Sequence, residues 1–371
     1  MLLGRSPTEF DIVFDGSPEE TARFHENAPK VGKTAVTYII DGRDHVPLLG
    51  TIAEDLLARD CTINALLLDE NGMLHALPTT FSDLRDGIIR HASPTAFLRD
   101  PVRVFRAARF AAALPGFSIA PETTDRMREA AGHEHFRTVA AERVGKECMK
   151  AMAGHAPGNF IRALAAADAL VPWFSPLETG NAIPAGPAKY HDDKSVLEHT
   201  TKVMDAIAAM PLPEKDRALA VWMGLCHDLG KVTTPPETLP RHIGHELRGE
   251  ALAGELARRL RLPGLWEKAG RLAASLHMKA GQYAVLRPGT KVDLLHALAA
   301  SRLAAPFTAL VAADSGDGSL RETMTRDMQT ILAVTLPEEW RDKGPKSAAE
   351  LRRLRVRVLK QALSSGEKLR P

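Results

Sequence analysis

The chain has 371 residues and a mass of 40.3 kDa, more than one ordinary core accommodates, so length alone predicts two or three domains. Hydrophobic residues make up 44% and charged residues 25%, a balance that excludes disordered and fibrous classes. A net charge of +2 points to no partner by itself, although ten basic residues against three acids gather between residues 341 and 371, a pattern that suits either a phosphate backbone or a solvated amphipathic helix.

The longest purely apolar run, Ala218 to Cys226, is too short to cross a bilayer, so no membrane partner is expected. Near Met1, Arg5 and the acids from Glu9 onward leave no room for the apolar core of a secretory signal. Cys61, Cys148 and Cys226 are odd in number and widely spaced, which argues against a disulfide framework or a cysteine zinc site and for a reducing, cytoplasmic setting.

The first 85 residues carry strand-like stretches, Phe10 to Phe14, Val36 to Ile40 and Ile63 to Leu68, and strands are predicted to stop there. Glu9 and Asp11 stand two apart on the first of these, so both point to one face. Such a pair can hold magnesium against a nucleoside triphosphate, although a half-exposed strand produces the same alternation. Further on, Arg59 and Asp60 offer a phosphate ligand beside an acceptor for sugar hydroxyls.

From Pro101 to about Leu170 the spacing is helical, with Val102, Phe105, Ala108 and Phe110 to Ala112 on an apolar face. Asp100, Arg103, Arg106 and Arg109 recur every third residue and form a drifting stripe. Three arginines there repel one another unless an anion lies across them or nearby acids pair with them. Asp100 before Pro101 also reads as a helix cap followed by proline in the first turn. Residues 171 to 190, rich in Pro and Gly, read as a linker or boundary, and helices are predicted from there to the end.

Seven of the 14 histidines fall between His191 and His296. The apolar run ending at Cys226 is followed by His227 and Asp228, an adjacent imidazole and carboxylate that are costly to bury unless paired together or bound to a cation. Borderline divalent ions accept such mixed ligands. A buried ion pair at the helix end is the alternative. For His277 a satisfied core position competes with a role at a site, and for His296 the core position is favoured.

These residues resemble the HD superfamily of metal-dependent phosphohydrolases. The resemblance implies a metal held by His199, His227, Asp228 and Asp314, with His242, His245 and His277 around the substrate. It implies a transition ion such as Ni2+ or Mn2+, and His227 and Asp228 as catalytic residues.

Together with Glu9 and Asp11, Arg59, the Asp100–Arg103 element and Glu142-Arg143-Val144 to Glu147, the whole chain resembles the bacterial class II tRNA nucleotidyltransferases, the CCA-adding enzymes, in their multifunctional form with a carboxyl-terminal HD domain. That likeness implies an α/β, polymerase-beta-like nucleotidyltransferase head followed by an all-α neck and body and an all-α HD domain. Expected bounds are 1–90 for the head, 91–185 for the neck, 190–320 for the HD domain and 321–371 for a basic helical tail. It further implies Mg2+ at the catalytic carboxylates Glu9 and Asp11, and nucleotide contacts by Arg59, Asp60, Asp100, Arg103, Arg106 and Arg109. The implied partners are tRNA, CTP and ATP, and a homodimer is compatible with the sequence.

Departures from the family pattern bear on the head. The sequence begins at the Leu-Leu-Gly that follows the family's Gly-Gly-x-Val-Arg-Asp turn, Glu9 stands where an aspartate is usual, Ala58 replaces an arginine and Arg99 a glutamate. Asp44 is a candidate third carboxylate. The sequence therefore also admits an HD phosphohydrolase with a defective head, a non-catalytic tRNA-binding relative, and a poly(A) polymerase.

Overall fold

This computed structural model describes residues 11–15, 30–31, 37–48, 50–187 and 194–367. Two units divide the chain, Met1–Arg103 with Gly116–Gly132, and Val104–Pro115 with His133–Pro371.

In the first unit a mixed sheet has the order β1-β4-β3-β2, from β1 (Ile12–Phe14), β2 (Lys30–Val31), β3 (Thr37–Ile40) and β4 (Arg43–Pro47). The β3–β4 hairpin turns on Asp41 and Gly42, both at positive φ (49° and 73°), which matches the twist of the flanking strands and is why an Asp-Gly pair closes a two-residue loop. Strand β1 lies parallel to β4 with Ile12 opposite His45, while β3 is antiparallel to both neighbours. Buried Tyr38 meets the Phe14 ring edge-on at 6.3 Å.

Helix α1 (Ile52–Leu57) starts with a capping box in which Thr51 and Glu54 satisfy each other's backbone amides. Its Leu56 packs with Ala65, Leu77 and Ala92 under the β5 (Leu66–Leu68) and β6 (Leu74–Ala76) hairpin. The predicted strand from Ile63 is shorter than the sequence suggests, because Thr62–Asn64 is a 3-10 turn. There Asp60 accepts from the Cys61 amide and the Asn64 side chain, and the Thr62 hydroxyl donates to Asp83 at 2.7 Å. Buried polar groups had to be satisfied, and the chain turned to do so. Helices α2 (Thr80–Asp86), α3 (Ala96–Arg99) and, after the interruption, α5 (Pro121–Gly132) complete this unit. Strands do not stop at residue 85: β7 (Ile88–Ile89) pairs in parallel with β8 (Ser118–Ile119).

Helix α4 (Val102–Ala113) buries Val102, Phe105, Ala108, Ala111 and Ala112 as its spacing predicts, whereas Phe110 is only half-buried. In the second unit α6 (Glu134–Arg137), α7 (Ala141–Met152) and α8 (Gly158–Ala166) surround an aromatic core in which Phe105 stacks on Phe136 at 5.2 Å. The Pro- and Gly-rich stretch after residue 170 is no loose tether. Trp173, Phe174 and Leu177 are buried, and the Trp173 indole donates to the Phe136 carbonyl.

Helices then follow one another: α9 (Val196–Ala208), α10 (Glu214–Cys226), α11 (His245–Arg259), α12 (Gly264–Gly281), α13 (Pro288–Ser301), α14 (Ala304–Ser315), α15 (Gly318–Leu332) and α16 (Pro345–Glu367). Helix α10 is buried on every side from Ala218 to Cys226, so it is the central rod around which α9, α12 and α14 pack. An α/β head followed by an all-α remainder is the predicted architecture. Among the described residues, no helix is long and apolar enough to cross a membrane.

Candidate metal centre

The site forms where the central rod ends. Ser195 caps α9 by accepting from the Glu198 amide, which sets His199 one turn into that helix. His227 closes α10 and Asp228 begins the next turn. His245 opens α11, His277 lies in the last turn of α12, and Asp314 ends α14. Five helices and the turn after α10 thus deliver six side chains to one place.

Two groups meet there and share Asp228: His199, His227 and Asp228, and Asp228, His245 and His277. In the first, the Nε2 atoms of His199 and His227 stand 3.3 Å apart, with Asp314 Oδ1 at 3.1 Å from His199 and Asp228 Oδ2 at 3.2 Å from His227. In the second, the Nε2 atoms of His245 and His277 are 3.2 Å apart and each lies 3.4 Å from Asp228 Oδ1.

The other ring nitrogens explain the orientation. His227 Nδ1 donates to the Gly224 carbonyl, His245 Nδ1 to that of His242, and His277 Nδ1 to those of Ala273 and Ala274. A carbonyl only accepts, so each Nδ1 carries a hydrogen, and each ring presents an Nε2 lone pair to the centre once that nitrogen has given up its proton. Lone pairs facing each other at 3.2 Å repel unless a cation lies between them. Asp228, 2% exposed, has Oδ1 without a hydrogen-bond partner among the described residues. Orphaned buried oxygens are rare, and this one is aimed at two imidazoles. The donor set therefore fits divalent metal ions, with imidazole nitrogens and carboxylate oxygens held by outer hydrogen bonds.

Burial disfavours an imidazolium at His227, yet Asp228 and Asp314 overcome it and push the ring up to about 10. Burial likewise opposes ionisation of Asp228, while His227 and Lys231 hold it well below the usual carboxylate range. Asp314 is lowered by His227 and His199 against the same penalty. Lys231 Nζ bonds Asp228 Oδ2 and donates to the Ala185 carbonyl, 2.8 Å each. A cavity of about 410 Å3 opens on Asp228, Asp314 and His277.

His277 is buried but belongs to the cluster. His296, favoured as a core histidine from the sequence, is instead exposed and bonds the Arg355 guanidinium, a correction that follows from α13 turning that face outward. The double use of Asp228 was not legible; the His242-x-x-His245 spacing was the signal that a second ring would be presented at a helix start.

In the first unit, Glu9 lies outside the described residues. Asp11 is exposed just ahead of β1, and Asp44 is on β4. The parallel register pairs Ile12 with His45, so Asp11 and Asp44, each one residue earlier, occupy neighbouring positions. Arg59 is paired with Asp55 through Nη2 at 2.7 Å, and Asp60 is buried with Oδ1 taken up in its turn. Asp100 Oδ1 caps the Val102 amide, and Arg103 donates to the carbonyls of Arg59 and Ala96, which draws Arg59, Asp60 and Arg103 together. Arg106 and Arg109 belong to the second unit; Arg109 pairs with buried Glu147 at 2.5 Å and lies against the Phe110 ring.

Residues 195–305 match the HD domain family. The chain is 38% identical over 267 residues to the multifunctional CCA protein of Nitrosomonas eutropha, an alignment covering 72% of this chain and 63% of that protein. The chain thus spans less than two thirds of that relative's length. Among solved structures it is similar to the Thermotoga maritima CCA-adding enzyme complexed with tRNA (TM-score 0.62, 20% identity, 98% of this chain and 88% of that one). A CCA-adding enzyme with ATP gives a TM-score of 0.61 at 17% identity, over 98% and 88% of the two chains. At those identities the likeness is one of fold.

Proposed function

We propose that this chain acts on the 3' end of tRNA, adding C, C and A from CTP and ATP in its first unit and hydrolysing phosphoesters, such as 2',3'-cyclic phosphates, at the HD centre. The observation that carries the hydrolytic half is the two facing pairs of Nε2 atoms on either side of Asp228. His199, His227, Asp228 and Asp314 would hold one transition ion such as Mn2+ or Ni2+; His245, His277 and the second oxygen of Asp228 would hold another. Bound divalent ions supply charge neutralisation at phosphoryl oxygens and acidify water. The chain's own part is to fix the rings through backbone carbonyls, to steady Asp228 through Lys231, and to bury the cluster from bulk water.

The transferase half is supported by likeness to a multifunctional CCA protein and by the α/β head. Glu9 and Asp11 would hold Mg2+, and Arg59, Asp60, Asp100, Arg103, Arg106 and Arg109 would read and hold the nucleotide. The division into a head to residue 90, a neck to 185, the HD domain at 190–320 and a basic tail belongs to the same reading. So does a cytoplasmic setting, where the buried thiols stay free.

Purified full chain with Mn2+ is expected to hydrolyse adenosine 2',3'-cyclic phosphate, and His227→Ala should abolish this while leaving Mg2+-dependent CMP and AMP addition to tRNA lacking its terminal CCA. No hydrolysis with any divalent ion overturns the first activity, and no incorporation overturns the second. A second reading, in which only the HD centre is catalytic, draws on Arg59 and Arg109 being already paired with Asp55 and Glu147. It predicts hydrolysis without incorporation.

A further inference from the structure

The cavity beside the metal cluster has a second wall of a different kind. Arg241, Ile243 and Met278 line it together with Asp228 and Asp314. Ile243 is 77% exposed and Met278 45%. An isolated exposed apolar residue needs no explanation, but two that line one cavity together with buried ionisable groups are suited to a contact surface.

The loop that presents Ile243 is fixed in place. Arg248 donates to the Ile243 carbonyl at 2.9 Å and to the Thr233 hydroxyl at 3.0 Å. The Thr234 hydroxyl donates to His242 Nδ1 at 2.8 Å, and His242 Nε2 donates to the Pro184 carbonyl at 2.9 Å. Gly244, at φ +71°, permits the sharp entry into α11. Ile243 thus stands exposed on a loop tied down by these hydrogen bonds. Beside it, the Arg241 guanidinium has no ion-pair or hydrogen-bond partner among the described residues.

We infer that this wall reads the terminal nucleoside of the substrate, with Arg241 engaging phosphoryl oxygens and Ile243 and Met278 forming the platform on which the base lies. The inference rests on the hydrolytic reading of the HD centre and adds its specificity. A guanidinium fork matches phosphoryl oxygens in geometry and charge. Aliphatic surface suits the flat, weakly hydrated face of a base, which unstacked nucleotides offer. The volume of about 410 Å3 lies within the range of small-ligand pockets and suits one nucleotide at the end of a strand.

The test is calorimetry on the full chain with Mn2+, using the hydrolysis-resistant phosphorothioate of adenosine 2',3'-cyclic phosphate and the corresponding glycerol 1,2-cyclic phosphorothioate, which lacks a base. Wild type should prefer the nucleoside compound. The double variant Ile243→Ser with Met278→Ser should lower that preference at least fivefold, and Arg241→Gln should weaken both compounds at least fivefold with the preference kept. All three side chains are exposed, so folding is not at stake. An unchanged preference in the double variant, unchanged affinity in Arg241→Gln, or no binding of either compound overturns the inference. Binding in this pattern without turnover of ordinary adenosine 2',3'-cyclic phosphate leaves it standing and removes the hydrolytic reading alone.

Discussion

Asp228 shows how one carboxylate can be asked to do two things. Its Oδ2 belongs to His199, His227 and Lys231, and its Oδ1 to His245 and His277. If both sides bind an ion, metal analysis should find two Mn2+ per wild-type chain and one in His245→Ala or His277→Ala. Protons report the same event. His227 in the folded, metal-free chain sits at about 10, above its ordinary 6.5, so it carries its proton at neutral pH. That raised value contributes stability fully present below 6.5 and lost as pH rises through about 10. Metal ligation requires the deprotonated ring, so loading at pH 7.5 should release about one proton per chain at this group, and apparent affinity should rise about tenfold per pH unit between 7 and 9. Titration calorimetry in buffers of differing ionisation enthalpy measures the release; none would remove His227 from the ligand set.

At the scale of elements, the His-Asp pair is placed by a close approach of two backbones. Gly230, in the turn after Asp228, packs on the start of α11, where an added methyl would run into the His245 carbonyl and the Gly249 amide. Gly249 answers it from the helix side. Gly230→Ala is expected to destabilise the chain by about 1–3 kcal/mol in urea unfolding. It should also lower Mn2+ content, because the shift moves Asp228 away from His245. Full stability and metal content in the variant would show that this contact does not position the site. Elements were legible where periodicity was strong, as in α4 and the apolar rod of α10. The Ile63 to Leu68 stretch is a strand only from Leu66, because buried Asp60 and Thr62 found partners that bent its start, a choice that apolar spacing cannot encode.

For the whole molecule, the basic segment near the carboxyl end is a helix, α16, and part of its charge is already committed. Arg352 pairs with Asp293 and Arg353 with Glu350. Lys346, Arg357 and Lys360 remain exposed on it. If tRNA is the partner, replacing these three by Gln should weaken binding and flatten its salt dependence by up to about two to three charges' worth of slope, with little effect on unfolding. A slope equal to the wild type's would assign the segment to a solvated face.

The amino-acid sequence by itself determined the architecture, an α/β start and a helical remainder, and it named the His-Asp pair, because both follow from local spacing and from the cost of burying charge. The family resemblance had already named His199 and Asp314; tertiary structure decided that His245 and His277 form a second group around the same Asp228. His199 and Asp314 lie 115 positions apart and touch only because α9 and α14 pack on one rod. It also decided that His277 faces the site and His296 faces water, since a helix's rotation about its axis is set by what packs against it and not by the residue it carries.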